Sequence, residues 1–362
     1  MRVGVPTETK SGETRIALTP SGAHALTARG HQVLVQSGAG AGAGITDADL
    51  RDAGARLVSA EDAWAADLVV KVKEPQPDEL ALLSGNVLFT FLHLAANPAV
   101  ADALVRAGTT ALSYDTVQAA DGSLPLLTPM SEVAGRLAVL AGAHHLLSPQ
   151  GGRGVLLGGV PGVPGARVTV LGAGVAGSQA IAQAVGLGAD VTAVDLSLPA
   201  LRRIDERHGG RVRTVASTAH AIAAAVEGSD LVIGAVLVPG RPAPVVVTHA
   251  MVESMAPGSV LVDIAIDQGG CLEDSVPTTH RDPVREVAGS LIYAVANMPA
   301  AVGVTATRAL TNVTLPYILR LADGVDDALA GDPALAGGVN VRDGRVVHPA
   351  VAAALGRART PA

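Results

Sequence analysis

Short β-branched apolar runs alternate with stretches of helical period along the first third of the chain. Val3–Pro6, Gln32–Val35, Leu68–Val72, Val87–Phe91 and Thr110–Ser113 predict strands, and Ser21–Arg29, Asp47–Gly54 and Ala99–Ala107 predict helices between them. A long apolar helix is predicted at Ser131–Leu147, followed by the Gly/Pro-rich stretch Gln150–Gly165. That composition does not sustain a regular element and reads as a connection between domains. A second alternation starts at Arg167: strand Arg167–Leu171, helix Ala176–Gly186, strand Asp190–Asp195, helix Pro199–His208, then strands Leu231–Gly234, Val260–Asp263 and Leu291–Ala294. After Pro299 the period turns helical through Leu310–Asp323, and the chain ends in a Gly/Pro-rich tail. Alternation of this kind implies α/β architecture with doubly wound parallel sheets. Two such domains are expected, a central one (130–303) inserted into a discontinuous one (1–129 and 304–362).

Composition narrows this picture. At 362 residues the chain is too long for one compact core, and 49% apolar residues supply two. Aromatics are only 2%, so Val, Leu, Ile and Ala must fill the interior, which suits parallel sheets under closely packed helices. The net charge of -7 gives no general attraction to nucleic acid, and Lys and Arg form no basic stripe. The lone Cys271 has no disulfide partner within the chain. The start MRVGVPTETK lacks a signal-peptide pattern, and no apolar run reaches membrane-spanning length. A cytoplasmic protein without a membrane partner is expected.

Gly172-Ala173-Gly174-Val175-Ala176-Gly177 matches the dinucleotide fingerprint. In a chain with 42 glycines the pattern alone arises easily by chance, so context decides. A strand precedes it, an apolar helix follows, and Asp195 closes the next strand roughly 20 residues on, the spacing of a ribose-binding acid. The glycines permit a tight turn and close approach of a pyrophosphate to a helix N-terminus. Asp195 would accept bonds from the ribose and repel a 2′-phosphate, so NAD is expected over NADP. The central domain is thus expected to be a Rossmann NAD-binding domain. A second glycine run, Gly38–Gly44, also follows a strand, but the acidic Asp47, Asp49 and Asp52 behind it oppose a phosphate. It reads as a structural turn.

Candidates for substrate chemistry lie at strand ends. Arg15 in ETRIALTP offers a fork that matches a carboxylate, although a single Arg also fits an ordinary surface. Lys71 and Lys73 are two apart, which puts both on one face of a strand at its carboxyl edge; the bland reading is a solvated strand end. His93 follows the buried run VLFTFL; it is either a satisfied core residue or a group poised to polarise a carbonyl. Asp263 and Asp267 close VLVDIAIDQGG beside glycines, as turn caps or as ligand contacts. Asn297 in VANMPA has the amide to bond a nicotinamide or a substrate. The chain carries no HExxH, CxxC, GxSxG or Walker A pattern, and the adjacent His144 and His145 make a poor metal pair.

Taken together in order, MRVGVPTETK, ETRIALTP, VVKVKEP, LFTFLHLAA, PMSEVAGR, QGGRGVLLGGVPGV, VTVLGAGVAG, ADLVIGAVLVPG, VLVDIAIDQGGC and VANMPA closely resemble the alanine dehydrogenase family over nearly the whole chain. The related NAD-binding subunit of nicotinamide-nucleotide transhydrogenase shares the early ExRxAxxP pattern but matches the substrate blocks less well. The resemblance implies that Arg15 and Lys73 bind the substrate and that His93 and Asp267 are the catalytic acid/base pair. It implies a cofactor site at Ser131, Val175, Ala176, Asp195, Ser217, Val236, Leu237, Ile264 to Asp267, and Val295 to Met298. It further implies NAD-dependent interconversion of L-alanine with pyruvate and ammonium, a role in amino-acid catabolism, and a homohexamer. A transhydrogenase-type NAD(H)-binding subunit and a non-catalytic NAD(H) sensor are the alternatives. Two departures stand out. Gly303-Val304-Thr305-Ala306-Thr307 replaces the family's Pro-x-Thr-Ser-Thr, with Gly expected to loosen the backbone, and Asp115 stands where Glu is common.

Overall fold

The computed structural model describes residues 1–236 and 243–357. It divides into two compact units, Met1–Met130 with Ala300–Ala362, and Ser131–Pro299. The first unit opens with β1 (Arg2–Val5), α1 (Pro20–Ala28), β2 (Gln32–Gln36), α2 (Asp47–Asp52), β3 (Arg56–Val58) and α3 (Ala60–Trp64). It continues with β4 (Leu68–Val70), β5 (Val87–Thr90), α4 (Pro98–Ala107) and β6 (Thr110–Ser113). The short helices are set by their caps. Thr19, Thr46 and Ser59 each accept a backbone N–H of the first turn, and Thr46 with Asp49 forms a reciprocal capping box.

α5 (Thr128–His145) leads into the second unit, which contains β7 (Arg167–Leu171), α6 (Val175–Gly186), β8 (Asp190–Asp195), α7 (Leu198–His208) and β9 (Val212–Ala216). Then come α8 (Ala219–Glu227), β10 (Leu231–Gly234), α9 (His249–Glu253), β11 (Val260–Asp263), β12 (Val284–Val287) and β13 (Ser290–Tyr293). The chain returns through α10 (Gly303–Asp323), α11 (Val325–Gly331), α12 (Pro333–Gly337), β14 (Val339–Arg342), β15 (Arg345–Val346) and α13 (Pro349–Ala354).

Each unit has one sheet. The first runs β15-β14-β6-β5-β4-β1-β2-β3 and the second β12-β13-β11-β10-β7-β8-β9. Both are parallel except at one edge, where β14 and β15 in the first and β12 in the second are antiparallel. Strand order reverses between β1 and β4 in the first sheet and between β7 and β10 in the second, and ligands of open α/β sheets bind outside the carboxyl ends at such switch points. The cores are aliphatic. Val168, Val170, Val191, Ala193, Leu231, Ile233, Val260 and Val262 are buried along the central strands of the second unit.

The structure departs from the sequence reading in four places. The tail after Asp323 is not irregular, because β14 pairs with β6 and completes the first sheet. Asn340 and Arg342 interrupt the apolar run of β14, so it is not recognised without its partner. Residues 150–165 lie inside the second unit, where Arg153 N–H donates to Gly258 O at 3.0 Å and Ala166 N–H to Leu157 O at 2.9 Å. α10 starts at Gly303 rather than Leu310, since burial of Gly303, Ala306 and Thr307 outweighs the poor propensity of β-branched residues. Gly303 is accordingly no loose link: a Cβ there would collide with Thr14 and come within 2.9 Å of Gly42 O. Gly42 is itself packed against Thr14, so the Gly38–Gly44 run is the turn that lets Thr14 and Arg15 approach α10.

Candidate active site

In the first unit the segments after β1 and β4 sit at the switch point and carry a buried ionic network. Arg15 is 2% exposed. Glu13 grips its guanidinium with two oxygens, Nε–Oε1 at 2.7 Å and Nη2–Oε2 at 2.5 Å, and also accepts the N–H of Thr14 and Arg15. Nη1 lies 2.9 Å from Met130 Sδ. Arg15 is therefore not the surface residue that it resembles in isolation: burial without a carboxylate partner would cost several kcal/mol, about 3–5 for a broken pair.

The two lysines separate. β4 ends at Val70, so the shared face expected of Lys71 and Lys73 does not form. Lys71 is fully buried between Glu79 at 2.9 Å and Glu8 at 3.2 Å, with its ammonium 5.5 Å from the Trp64 ring centroid. Burial pushes the Lys71 ammonium down, and the two carboxylates overcome this and hold it above its ordinary value. Glu8 also accepts the N–H of Val72 at 2.6 Å and of Lys73 at 3.2 Å, which shapes the turn presenting Lys73. Lys73 Nζ lies 3.8 Å from Glu74 Oε2, whose other oxygen takes Lys10 at 2.6 Å. Burial raises the Glu74 carboxyl, but Lys73 and Lys10 outweigh it and keep it ionised below the usual range.

His93 ends the run from β5 with φ +47, a left-handed conformation that costs a non-glycine residue about 1–2 kcal/mol. Asn97 Nδ2 donates to His93 O at 3.0 Å and offsets part of it. The ring stacks on Phe91 at 5.8 Å, and Nδ1 lies 3.6 Å from Asp115 Oδ2. At 36% side-chain exposure His93 is a held, accessible imidazole rather than a core residue. Burial raises the Asp115 carboxyl, yet His93 and the Ser113 hydroxyl prevail and its pKa ends below the ordinary value.

In the second unit the fingerprint sits at the β7/β10 switch. Gly172 has φ +100, and a Cβ at Gly177 would strike Gly172 O. Gly174, the N-cap of α6, makes no side-chain cap bond, and a Cβ there would meet only open space. An open cradle at a helix N-terminus fits a dinucleotide pyrophosphate. Asp195 accepts Ala173 N–H and Ser197 N–H at 2.6 Å each, tying the end of β8 to the glycine turn. Ser217 N–H donates to Asp195 O at 2.9 Å. Ser131 lies one turn before Gly135, which packs against Ala176 on α6. Val236 follows β10, and Leu237 lies outside the described residues. Ile264 to Asp267 form a 3-10 turn after β11, and Val295 to Met298 follow β13. Asn297 has φ +60, and its N–H meets both oxygens of the exposed Asp267 at 3.3 Å.

The partner acids Glu8, Glu13 and Glu74 and the tether Asn97 escaped the sequence reading. One signal was available: a buried cation requires a carboxylate, and Glu13 stands two residues before Arg15 and Glu74 one after Lys73.

Comparison with known proteins agrees with this layout. Residues 4–134 match the family model described as "Alanine dehydrogenase/PNT, N-terminal domain", and residues 138–349 match its C-terminal counterpart. An alanine dehydrogenase of Halomonas elongata is 56% identical over 360 residues, covering 98% of this chain and 97% of that one. A solved L-alanine dehydrogenase superposes with TM-score 0.95 at 50% identity, covering 98% of this chain and 99% of that one. A transhydrogenase from Sinorhizobium meliloti superposes with TM-score 0.82 at 29% identity, covering 97% and 100%.

Proposed function

The chain belongs to the alanine dehydrogenase/PNT family, and from that premise we propose that it catalyses the reversible NAD-dependent oxidative deamination of L-alanine to pyruvate and ammonium. The observation that carries this reading is the first-unit set of Arg15, Lys73 and His93, each seated by its own acid: Glu13, Glu74 and Asp115. Glu13 and Arg15 belong to the ExRxAxxP pattern shared with dinucleotide-binding transhydrogenase subunits, so Lys73 and His93, together with Asp267, are what argue against a subunit that only binds dinucleotide. The first unit is assigned to the substrate and the second to the dinucleotide.

Arg15, pre-oriented by Glu13, pairs with the substrate carboxylate. Lys73 and His93 bond the carbonyl oxygen and polarise it, so that ammonia attacks the carbon. Asp267 moves the protons as the carbinolamine loses water to the iminium. NADH, when bound, supplies the hydride that reduces the iminium carbon. The residues proposed to hold the dinucleotide are Ser131, the Gly172–Gly177 turn, Asp195, Ser217, Val236, Leu237, Ile264 to Asp267 and Val295 to Met298. Asp195 selects NAD, because a 2′-phosphate would face a carboxylate already fixed by two amides. No helix among the described residues is long and apolar enough to cross a membrane. A cytoplasmic homohexamer serving amino-acid catabolism completes the proposal, with light scattering as the check on assembly.

The test follows NADH absorbance with pyruvate alone, pyruvate plus ammonium, and glyoxylate plus ammonium. Oxidation that needs both pyruvate and ammonium is expected. His93→Ala and Asp267→Ala should each lower turnover about 10²–10⁴-fold with near-normal NADH binding. Near-wild-type activity in both variants sinks the assignment. The 29%-identical transhydrogenase supports a second reading, a hydride-transferring NAD(H) subunit, which predicts tight NADH binding with no turnover of pyruvate and ammonium.

A further inference from the structure

Asp263, the last residue of β11, is fully buried. Its carboxylate is met by uncharged donors. Oδ1 accepts Ala265 N–H at 3.0 Å, with the Cys271 thiol at 3.4 Å. Oδ2 accepts Cys271 N–H at 2.9 Å, Leu272 N–H at 3.3 Å and the Ser275 hydroxyl at 2.5 Å. Several hydrogen bonds to an ionised carboxylate stabilise a charge that burial alone would not tolerate. The thiol stays protonated and able to donate, since burial and then the charge of Asp263 push it well above its ordinary value.

These donors come from the two flanks of one turn. Ala265 precedes Asp267, while Cys271, Leu272 and Ser275 follow it. Within the turn, Gly269 N–H donates to Ile266 O at 3.0 Å and Gly270 N–H to Ala265 O at 3.1 Å, with both glycines left-handed at φ +96 and +81. A Cβ on Gly270 would come within 2.9 Å of Asp263 Oδ2, and one on Gly234 would strike the Cys271 sulfur. Asp267 itself is exposed, and the Asn297 N–H is shared between its oxygens at 3.3 Å each. One shared amide at that distance does not fix a carboxylate. Its location is set by the turn, and the turn is drawn closed around Asp263.

We infer that Asp263 is a positioning residue for the proposed reaction: by bonding both feet of the 264–275 turn it holds Asp267 where the proton transfers occur. The inference rests on the role proposed above for Asp267. Misplacing a reacting group by about 1 Å costs about 10²-fold in rate, so loosening the turn should act on turnover more than on binding.

The test uses the full-length enzyme with Asp263→Asn, Ser275→Ala and Asp267→Asn. Turnover is measured per NADH-binding site, with KM for pyruvate and the solvent deuterium isotope effect on kcat. In Asp263→Asn the amide group faces donors. Its kcat should fall about 10- to 100-fold, with KM and NADH affinity changed less than about twofold and a larger isotope effect as proton transfer becomes limiting. Ser275→Ala removes one donor and should move the same quantities by about threefold to tenfold. It carries the test if Asp263→Asn does not fold. Wild-type kcat per site and isotope effect in the folded variants overturn the inference, because a merely structural role would lower only the number of binding sites. If Asp267→Asn is inactive while the Asp263 and Ser275 variants behave as wild type, this inference alone fails. Turnover surviving in Asp267→Asn overturns both it and the reading it rests on.

Discussion

Asp195 carries a role visible only in three dimensions. Beside the ribose contact proposed for this strand-end acid, both its oxygens hold the amides of Ala173 and Ser197. Charge-assisted bonds of this kind are worth about 1.5–3 kcal/mol each. Asp195→Ala should therefore weaken NADH binding at least about tenfold without creating an NADP enzyme, since the glycine turn loses its tether along with the charge. Titration with both dinucleotides checks this, and a clean switch to NADPH would contradict it. Asp115 makes a prediction about pH. Burial opposes its charge, but His93 and Ser113 prevail and hold its folded pKa below 3.8. A depressed acid contributes stability that is present above its unfolded value and is lost as pH falls through the folded one. Asp115→Asn should thus be less stable than the parent at pH 5, and the gap in urea midpoint should narrow toward pH 3. A gap that widens on acidification would refute the pairing with His93. At this scale local geometry was legible where a motif has fixed spacing: Gly172 is left-handed, Gly177 packs against it, and Asp195 closes β8. It was not legible where the partner is set by folding: Glu79 on Lys71, or Asn97 on the His93 carbonyl.

Among the elements, those with little interruption of their apolar run are the ones sequence reading locates. Strands at Thr110–Ser113, Arg167–Leu171, Asp190–Asp195, Leu231–Gly234 and Val260–Asp263 coincide with β6, β7, β8, β10 and β11. β3 (RLV), β9 (VRTVA), β12 (VREV) and β14 (VNVR) did not register, because charged or polar side chains interrupt them, unlike the equally short β10 (LVIG) and β11 (VLVD). Each is defined by a neighbour rather than by its own period. β14 is instructive because it protects an edge. It pairs antiparallel with β6, Ser113 N–H donates to Gly338 O at 2.8 Å, and Asn340 Nδ2 donates to Thr116 Oγ1 at 2.6 Å. Deleting residues 339–362 removes the buried Val341, Val351 and Val339, each worth about 1.5–3 kcal/mol, and bares an edge strand. The loss approaches the whole stability of an ordinary domain, about 5–15 kcal/mol. The truncated chain should be insoluble, or lack the cooperative unfolding of the first unit in urea. A truncation with a parental unfolding curve would show that β14 is dispensable.

At the scale of the whole molecule, sequence by itself determined the class of architecture, its two doubly wound sheets, the aliphatic character of its cores and the position of the glycine turn between β7 and α6. These follow from local period, composition and short fixed spacings, which the unfolded chain already contains. The tertiary structure decided which acid neutralises each buried cation, where the chain's last strand pairs, and that Gly303 is a packing site against Thr14 and Gly42. It also decided that Asp263 is buried under a ring of donors while Asp267, four residues on, is exposed. The physical reason is common to all of these. A buried charge or an edge strand must be satisfied by some group, but the chain does not specify which until contacts distant in sequence are made, and those form only when the hydrophobic gain of the assembled core outweighs the entropy of closing the intervening loops.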